Sequence, residues 1–209
     1  MISTEDKLIL ALPKGRVFEE CLPLIQGSKF QLLDDPSATR KILLDTATPD
    51  VKVLLIRGWD VPTYVTFGAA HVGIVGKDIL LEKSSEEFIE LEDLHIGKCR
   101  ISLAGKKEII EGRTRLKVAT KYPDIAKRFL ESLAIQAEIV YLHGSQEIAP
   151  LMGLCEAIID LVDSGKTLKE NGLEEMKVIR EISSRMIVNK AALKTKNELI
   201  KEIRSTLIS

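Results

Sequence analysis

Short apolar runs alternate with amphipathic segments along most of this 209-residue chain. Residues 8–12 form one apolar run, and residues 17–26 then have the spacing of an amphipathic helix. The same order returns at residues 117–120 and 123–133. Strands that alternate with helices in this way are typical of βα units. We therefore predict an α/β fold in which mostly parallel sheets are flanked by helices.

The order of the predicted elements indicates two lobes. The strand at residues 101–104 begins a second part of the chain, and the strands after residue 178 lead back to the first part. We predict a discontinuous first lobe, residues 1–99 and 181–209, and a second lobe, residues 100–180. Further elements are predicted at residues 52–56, 72–75, 138–142, 157–161, 178–182 and 186–188 as strands, and at 195–207 as a helix.

The composition argues against several classes of function. Thirty Lys and Arg against thirty-one Asp and Glu leave no basic excess for nucleic-acid binding, and 4% aromatic residues are too few for base-stacking surfaces. Three dispersed cysteines, Cys21, Cys99 and Cys155, indicate neither a disulfide framework nor a zinc site. Residues 1–7 lack the character of a signal peptide, and no apolar run reaches membrane-spanning length. We expect a soluble, cytoplasmic protein without membrane or nucleic-acid partners.

Residues 156–168 carry the most specific chemical pattern. An apolar strand containing Asp160 ends near Asp163 and opens into Ser-Gly-Lys-Thr at residues 164–167, which reads as a helix start. Backbone N–H groups at a helix start and two hydroxyls suit a phosphate, and the carboxylates accept hydrogen bonds from ribose hydroxyls. We predict a phosphoribosyl site made of Asp160, Asp163, Ser164, Gly165, Lys166, Thr167 and Leu168.

Glycine next to a basic residue recurs at three predicted strand ends: 14–16, 57–58 and 76–78. Ligands of open parallel sheets lie outside the carboxyl ends of the strands, so these clusters predict a site for a polyanion. The alternative is that the glycines make tight turns and the charges are solvated. A fourth basic pair, Arg40 and Lys41, is either a solvated loop or a clamp for a leaving group, a role that suits the planar fork of arginine.

Two further features of the sequence each allow two interpretations. Ser145 precedes an apolar run, residues 148–154, that reads as a helix, and it is either the N-cap of that helix or a contact of the phosphosugar. Trp59 and Tyr64 lie on either side of a basic turn and either pack into the core or stack on a purine.

Several of these stretches together resemble ATP phosphoribosyltransferase, the enzyme that opens histidine biosynthesis. Glu147, Gly153 and Asp160, followed by residues 161–168, have the spacing of the family signature. Cys155 departs from the small residue that is usual there, and a thiol is still small. Other matching stretches are residues 12–16, 57 with 60–62, 73–78, 119–122 and 183–185, so the likeness covers about residues 7–189.

The resemblance implies a fold and partners. It implies two lobes similar to type II periplasmic binding proteins, with ATP and dimer contacts on the first lobe and phosphoribosyl pyrophosphate on the second. Because the sequence ends after one helix, it resembles the short form of the family. That form implies a regulatory partner related to histidyl-tRNA synthetase, and a homodimer within a hetero-octamer.

The resemblance also implies a role for each cluster. Arg16, Arg40 and Lys41 would stabilise the pyrophosphate and the ATP phosphates during catalysis. Mg²⁺ would be carried by the substrate phosphates, without a set of protein ligands. Two rivals stay open, namely a solute-binding protein and a phosphoribosyltransferase for another base. The residues expected to seat ATP are Pro13, Lys14, Gly15, Arg57, Gly76, Lys77 and Asp78.

Overall fold

The computed structural model of the chain describes residues 7–83 and 85–208. Residues 1–6, the acidic start of the sequence, lie outside the described residues. The chain divides into two compact units. The first unit comprises Met1–Gly97 and Ser183–Ser209, and the second comprises Lys98–Ile182.

The first unit contains a six-stranded sheet in the order β2-β3-β1-β4-β11-β5. Strands β3, β1 and β4 are parallel, and β2, β11 and β5 each run antiparallel to a neighbour. Its strands are β1 (Leu8–Pro13), β2 (Leu43–Asp45), β3 (Val51–Ile56), β4 (Val72–Gly76), β5 (Phe88–Asp93) and β11 (Ser184–Asn189). Its helices are α1 (Arg16–Ile25), α2 (Val61–Thr66), α3 (Lys77–Glu82), α7 (Lys190–Thr195) and α8 (Asn197–Ile208), with a 3₁₀ turn at Gly58–Asp60.

The second unit contains a five-stranded sheet in the order β10-β6-β9-β7-β8. Strands β9, β7 and β8 are parallel, whereas β6 and β10 are antiparallel to their neighbours. Its strands are β6 (Cys99–Gly105), β7 (Arg115–Thr120), β8 (Gln136–Tyr141), β9 (Ala157–Val162) and β10 (Glu174–Ile182). Its helices are α4 (Lys107–Ile110), α5 (Pro123–Ser132) and α6 (Lys166–Glu170), with a 3₁₀ turn at Gln146–Ile148.

Both faces of the first sheet are buried. Leu8, Leu10 and Leu12 of β1 pack on one face in a cluster that includes apolar residues of α8. Ile9 and Ala11 of the same strand pack on the other face with residues of α2. Since successive side chains of a strand point to opposite faces, a strand buried on both sides becomes an unbroken apolar run. This is why β1 was recognisable in the sequence.

The predicted α/β fold of two lobes flanked by helices is confirmed, and its sheets are mixed rather than mostly parallel. A parallel pair needs a long crossover connection, whereas a short turn makes its two strands antiparallel. Residues 46–50 form such a turn between β2 and β3. The apolar runs that define a strand carry no record of its direction, so the sequence pattern missed this feature.

The helix predicted at residues 148–154 was wrong. The chain there makes only the 3₁₀ turn Gln146–Ile148 and further turns. Gly153 has a φ of 70°, and Pro150 lacks the N–H that a helix interior would use. Ser145 precedes the 3₁₀ turn with a φ of 56°, and its side chain makes no capping hydrogen bond there.

Candidate active site

One cavity of the second unit brings together most of the residues predicted to bind the phosphoribosyl group. It has a volume of about 160 Å³ and lies where β9 ends and α6 begins. Six of the seven predicted residues line it; the exception is Lys166, whose exposed ammonium lies 3.8 Å from a Glu170 carboxylate oxygen. The lining residues are Glu147, Ile158, Asp160, Leu161, Val162, Asp163, Ser164, Gly165, Thr167 and Leu168.

The turn between β9 and α6, called the 163–168 turn below, has a backbone suited to an anion. Gly165 has φ 74° and ψ 5°, a left-handed conformation that side-chain-bearing residues rarely adopt. In the described part of the chain, the backbone N–H groups of Gly165, Thr167 and Leu168 donate no hydrogen bond. The N–H of Lys166, which lies between them in the chain, donates to the Ser164 hydroxyl at 3.4 Å. Backbone N–H groups without acceptors in a left-handed turn can form a concave anion-binding surface. A phosphate therefore fits the turn without any charged side chain.

Asp160 lies on the sheet face that borders the cavity. It is paired across the strands with Ser102, and one of its carboxylate oxygens lies 3.8 Å from the ammonium of Lys121. The same oxygen accepts a hydrogen bond from the backbone N–H of Leu161, 2.8 Å away. Carboxylates accept hydrogen bonds from hydroxyls, so this side of the cavity suits a sugar rather than a phosphate. Sequence reasoning had assigned no role to Lys121.

Arg100 of β6 is hydrogen-bonded to the start of the 163–168 turn. One of its terminal nitrogens donates to the backbone oxygen of Asp163, 2.8 Å away. Its Nε and other terminal nitrogen donate to the two carboxylate oxygens of Glu175, each at 2.6 Å. The Ser102 hydroxyl also donates to Glu175, at 2.6 Å.

This ion pair shifts the titration of both partners. The hydrogen bonds from Arg100 hold the pKa of the Glu175 carboxyl below its ordinary value. In return, the hydrogen bond to Glu175 raises the pKa of the Arg100 guanidinium. The two residues are 75 positions apart in the sequence, so no local pattern could have revealed the pair.

In the first unit, three of the basic turns lie at one edge of the sheet. They follow β1, β3 and β4, which are adjacent and parallel, with Pro13 paired to Ile56. The backbone N–H of Lys14 donates to the oxygen of Ile56 at 2.8 Å, so the first two turns touch. The predicted residues at this edge are Pro13, Lys14, Gly15, Arg16, Arg57, Gly76, Lys77 and Asp78.

The pair Arg40 and Lys41 lies at the same edge, because β2 runs antiparallel to β3. Leu43 is paired with Leu54, and the backbone N–H of Leu55 donates to the oxygen of Ile42 at 2.7 Å. Residues 40–41 therefore lie beside the carboxyl end of β3. Both side chains are exposed, and the Lys41 ammonium lies 3.1 Å from a carboxylate oxygen of Asp34. We call residues 14–16, 40–41, 57 and 76–78 the basic edge.

Arg16 and Lys77, like Lys41, already have partners in the first unit. A terminal nitrogen of Arg16 donates to the backbone oxygen of Gly97 at 3.1 Å, and its Nε lies 3.7 Å from Glu20. The Lys77 ammonium pairs with Glu90. Asp78 is buried, and its carboxylate lies directly over Gly76, where a Cβ would be 2.1 Å from an oxygen. Gly76 is therefore required by space, since its φ is ordinary.

Two sequence features have structural explanations. The Lys83 ammonium lies 5.3 Å from the ring centroid of Trp59, so this indole makes a cation–π contact within the first unit. Ser183 donates to Asp93 at 2.8 Å, and Arg185 lies 2.8 Å from the other oxygen of Asp93. Burial alone would raise the pKa of Asp93, but hydrogen bonds from His95 N–H and Ser183 and the charge of Arg185 hold it below its ordinary value.

A metal site built by the protein alone has no counterpart in residues 7–83 and 85–208. Among them, no group of three or more His, Cys, Asp or Glu side chains is placed to hold an ion. The carboxylates of Asp160 and Asp163 are nevertheless oxygen ligands of the kind that Mg²⁺ prefers. They fit a metal that brings most of its ligands with it.

None of the helices in the described ranges has the length and apolar character that a membrane span requires.

Comparison with known proteins identifies a family. The profile described as HisG, ATP phosphoribosyltransferase, matches residues 57–209. The chain is 47% identical over 198 residues to an ATP phosphoribosyltransferase of Teredinibacter turnerae, with 95% of this chain and 93% of that protein covered. It is 44% identical over 201 residues to one from Alcanivorax borkumensis, with 96% and 94% covered.

Solved structures agree with these sequence matches. The chain resembles one in the ATP phosphoribosyl transferase (HisG:HisZ) complex from Thermotoga maritima, with a TM-score of 0.82, 34% identity and 96% of each chain covered. It also resembles the alkanesulfonate-binding protein SsuA from Xanthomonas axonopodis pv. citri, with a TM-score of 0.57 and 11% identity over 97% of this chain and 72% of that one. The second likeness concerns the fold alone, and it confirms the prediction of a periplasmic-binding-protein-like architecture.

Proposed function

The chain belongs to the ATP phosphoribosyltransferase family, and on this premise we propose how it carries out the family's reaction. It is a pentosyltransferase that joins the phosphoribosyl group of phosphoribosyl pyrophosphate to N1 of ATP. The products are 1-(5-phosphoribosyl)-ATP and pyrophosphate, and the step is the first of histidine biosynthesis. The observation that carries our assignment of residues is the cavity at the end of β9, in which Asp160 and the 163–168 turn meet.

The cavity suits the phosphoribosyl group in one orientation. Its 5-phosphate would accept hydrogen bonds from the N–H groups of Gly165, Thr167 and Leu168 and from the Thr167 hydroxyl. Its ribose hydroxyls would donate to Asp160, with Glu147 as a second acceptor on the cavity wall. The reverse orientation would bring the phosphate against carboxylates, where two like charges 4 Å apart repel by about 4 kcal/mol near a protein surface.

The basic edge of the first unit suits the other polyanions. Lys14 and Arg57 lie on touching turns and would seat the ATP phosphates together with the backbone of Gly76. Arg40 and Lys41 are exposed and beside the same strand end, so they would stabilise the departing pyrophosphate. Arg16 would assist, although part of its guanidinium is already bound to Gly97.

The chemistry requires no base. N1 of neutral adenine already carries a lone pair, so attack on C1 of the ribose needs no proton removal. Positioning the two substrates and stabilising the charge of the leaving group must then supply most of the acceleration. We assign Arg16, Arg40 and Lys41 to that stabilisation. Mg²⁺ bound to the substrate phosphates would share the charge of the pyrophosphate.

Partners follow from the relatives. The Thermotoga maritima protein was solved in a complex named HisG:HisZ, and this chain covers 96% of that HisG-like chain. This supports a HisZ-like regulatory partner for the present chain, which is consistent with the short form of the family. We propose that this partner is related to histidyl-tRNA synthetase and that a homodimer of the chain lies within a hetero-octamer. A cytoplasmic location remains our prediction.

The test is product formation from ATP, phosphoribosyl pyrophosphate and Mg²⁺, with and without the synthetase-like subunit. We expect phosphoribosyl-ATP and one pyrophosphate per turnover, and no product when quinolinate or another purine replaces ATP. Binding without turnover in both conditions would favour the solute-binding alternative.

A variant extends the test to the 163–168 turn. Thr167→Ala should weaken binding of phosphoribosyl pyrophosphate by about 2- to 13-fold, because one hydrogen bond is worth about 0.5–1.5 kcal/mol. Thr195→Ala is the matched control, since the Thr195 hydroxyl donates a hydrogen bond to the backbone oxygen of Ala191 in its own helix, which belongs to the first unit. Equal affinities of wild type and Thr167→Ala would remove the hydroxyl from the site.

A further inference from the structure

All three nitrogens of the Arg100 guanidinium donate hydrogen bonds beside the 163–168 turn. Two of its nitrogens donate to Glu175 and the third donates to the backbone oxygen of Asp163. Glu175 also accepts from Ser102, whose side chain is buried. Three of the five N–H groups of the guanidinium therefore already have acceptors within the protein, and the Nε side of the group is occupied by Glu175.

The bond to Asp163 has a geometric consequence for the next residue. A trans peptide is planar, and its C=O and N–H point in opposite directions. Because Arg100 draws the oxygen of Asp163 towards itself, the N–H of Ser164 must point away from Arg100. This N–H donates no hydrogen bond in the described part of the chain. Ser164 lines the phosphoribosyl cavity and also a second cavity that Arg100 and Glu175 line, and its N–H points away from the Arg100 side.

We propose that Arg100, held by Glu175, is a positioning residue that turns the Ser164 N–H into the cavity as a donor to the substrate phosphate. The proposal rests on the proposed function and deepens it, because it adds a fourth backbone donor and the device that orients it. Strand pairing supports the device. Arg100 lies opposite Val162, directly before the turn, and Glu175 lies opposite Ala104, two positions beyond Ser102 on the same face of β6.

The ion pair is partly buried and bidentate. Its side chains retain about a quarter of their exposure, 27% for Arg100 and 24% for Glu175. A pair of this geometry can itself stabilise the sheet, so thermal stability has to be measured beside substrate binding. The two hydrogen bonds to Glu175 fix the plane of the guanidinium, and with it the direction of the bond to the Asp163 oxygen.

The experiment measures KM for each substrate, kcat and thermal stability in Arg100→Met, Arg100→Lys and Glu175→Leu. We expect Arg100→Met to raise KM for phosphoribosyl pyrophosphate by roughly 10- to 100-fold, because a misplaced contact group can cost up to about 100-fold. KM for ATP should stay within about twofold. Arg100→Lys should recover part of the loss, since an ammonium reaches the Asp163 oxygen or Glu175 but lacks the planar fork that serves both.

Two designs separate positioning from simple destabilisation. Arg115→Met is the matched control, because Arg115 pairs with Glu138 across neighbouring strands of the same sheet, 3.5 Å apart. It should leave both KM values unchanged. If Glu175 acts only by holding Arg100, the double variant Arg100→Met with Glu175→Leu should bind phosphoribosyl pyrophosphate no more weakly than Arg100→Met alone.

The possible outcomes are distinct. A wild-type enzyme that binds no phosphoribosyl pyrophosphate by calorimetry refutes the proposed function itself. A wild type that binds it, together with Arg100→Met and Arg100→Lys variants of unchanged affinity, refutes only the role of Arg100. An equal rise of KM in Arg115→Met, or a parallel rise for ATP, would also overturn the positioning role. If Arg100→Met does not fold, the comparison of Arg100→Lys with wild type decides in the same way.

Discussion

Gly165 offers a direct test of whether the left-handed turn makes the phosphate site. A Cβ added there would lie 3.8 Å from a methyl carbon of Val162, which is ordinary contact, so space does not exclude alanine. The φ of 74° does oppose it, at a cost of about 1–2 kcal/mol for a residue with a side chain. Replacing Gly165 by alanine therefore introduces backbone strain and little else.

That strain must appear either in stability or in binding. If the turn in Gly165→Ala keeps its conformation, the free energy of unfolding falls by about 1–2 kcal/mol and the melting temperature by about 2–8 °C. If the turn relaxes in the free enzyme, substrate binding must restore it. The affinity for phosphoribosyl pyrophosphate then falls by about 5- to 30-fold. The two losses together should equal about 1–2 kcal/mol.

Gly112 provides the matched control in the same unit. Its φ is 75°, and a Cβ there would meet no atom within 4 Å. Gly112→Ala should show the whole strain as lost stability, with substrate affinity unchanged. Differential scanning fluorimetry and calorimetry with phosphoribosyl pyrophosphate measure the two quantities. A Gly165→Ala variant that loses neither stability nor affinity would show that the left-handed turn is not needed, and our account of the site would be wrong.

Two further predictions concern stability. Gly76→Ala should lower the free energy of unfolding by about 1–3 kcal/mol in chemical denaturation, because the new Cβ displaces the buried Asp78 carboxylate. Gly144→Ala is the control: a Cβ there meets open space, so the free energy of unfolding should change by less than about 0.5 kcal/mol. The second prediction concerns His71, whose pKa is held below its ordinary value by burial and, to a smaller extent, by the charge of Lys196. Its Nδ1 accepts a hydrogen bond from the backbone N–H of Ile9 at 2.9 Å. As pH falls, the His71 side chain therefore binds a proton in the unfolded chain before it does so in the folded one. The contribution of His71 to the free energy of unfolding should be fully present above pH about 6.5. It should decrease as pH falls below that value towards the pKa of His71 in the folded chain. His71→Gln should lose this slope between pH 5 and 7, and an unchanged slope would exclude His71 as its source.

The parts of the fold that could be predicted are the elements whose burial produces a local pattern of apolar residues in the sequence. β1 is buried on both faces and therefore reads as a continuous apolar run, and β3 does so after Lys52, whose buried ammonium pairs with Asp45. β5 was missed, because this edge strand alternates glutamates with apolar residues and is only partly buried. Strand direction was missed as well, since it depends on connections rather than on composition.

The candidate site also has features that the sequence reveals and features that only the fold reveals. The 163–168 turn could be predicted because its glycine, hydroxyls and acids are consecutive in the sequence. The meeting of Arg40 and Arg57 at one edge depends on the antiparallel pairing of β2 with β3, which the sequence does not show. The bond from Arg100 to Asp163 joins residues 63 positions apart and needs the strand register as well as the sequence.

The place of β11 in the first sheet bears on how the chain folds as it is synthesised. Ser184–Asn189 lies between β4 and β5, and the Asn189 side chain donates to the oxygen of Val65 at 2.8 Å. The second unit is contiguous and can fold once residue 182 has left the ribosome. The first unit must wait with an open gap between two strands until its last strand arrives. A truncation before residue 184 should therefore leave the inserted unit folded and its host unfinished.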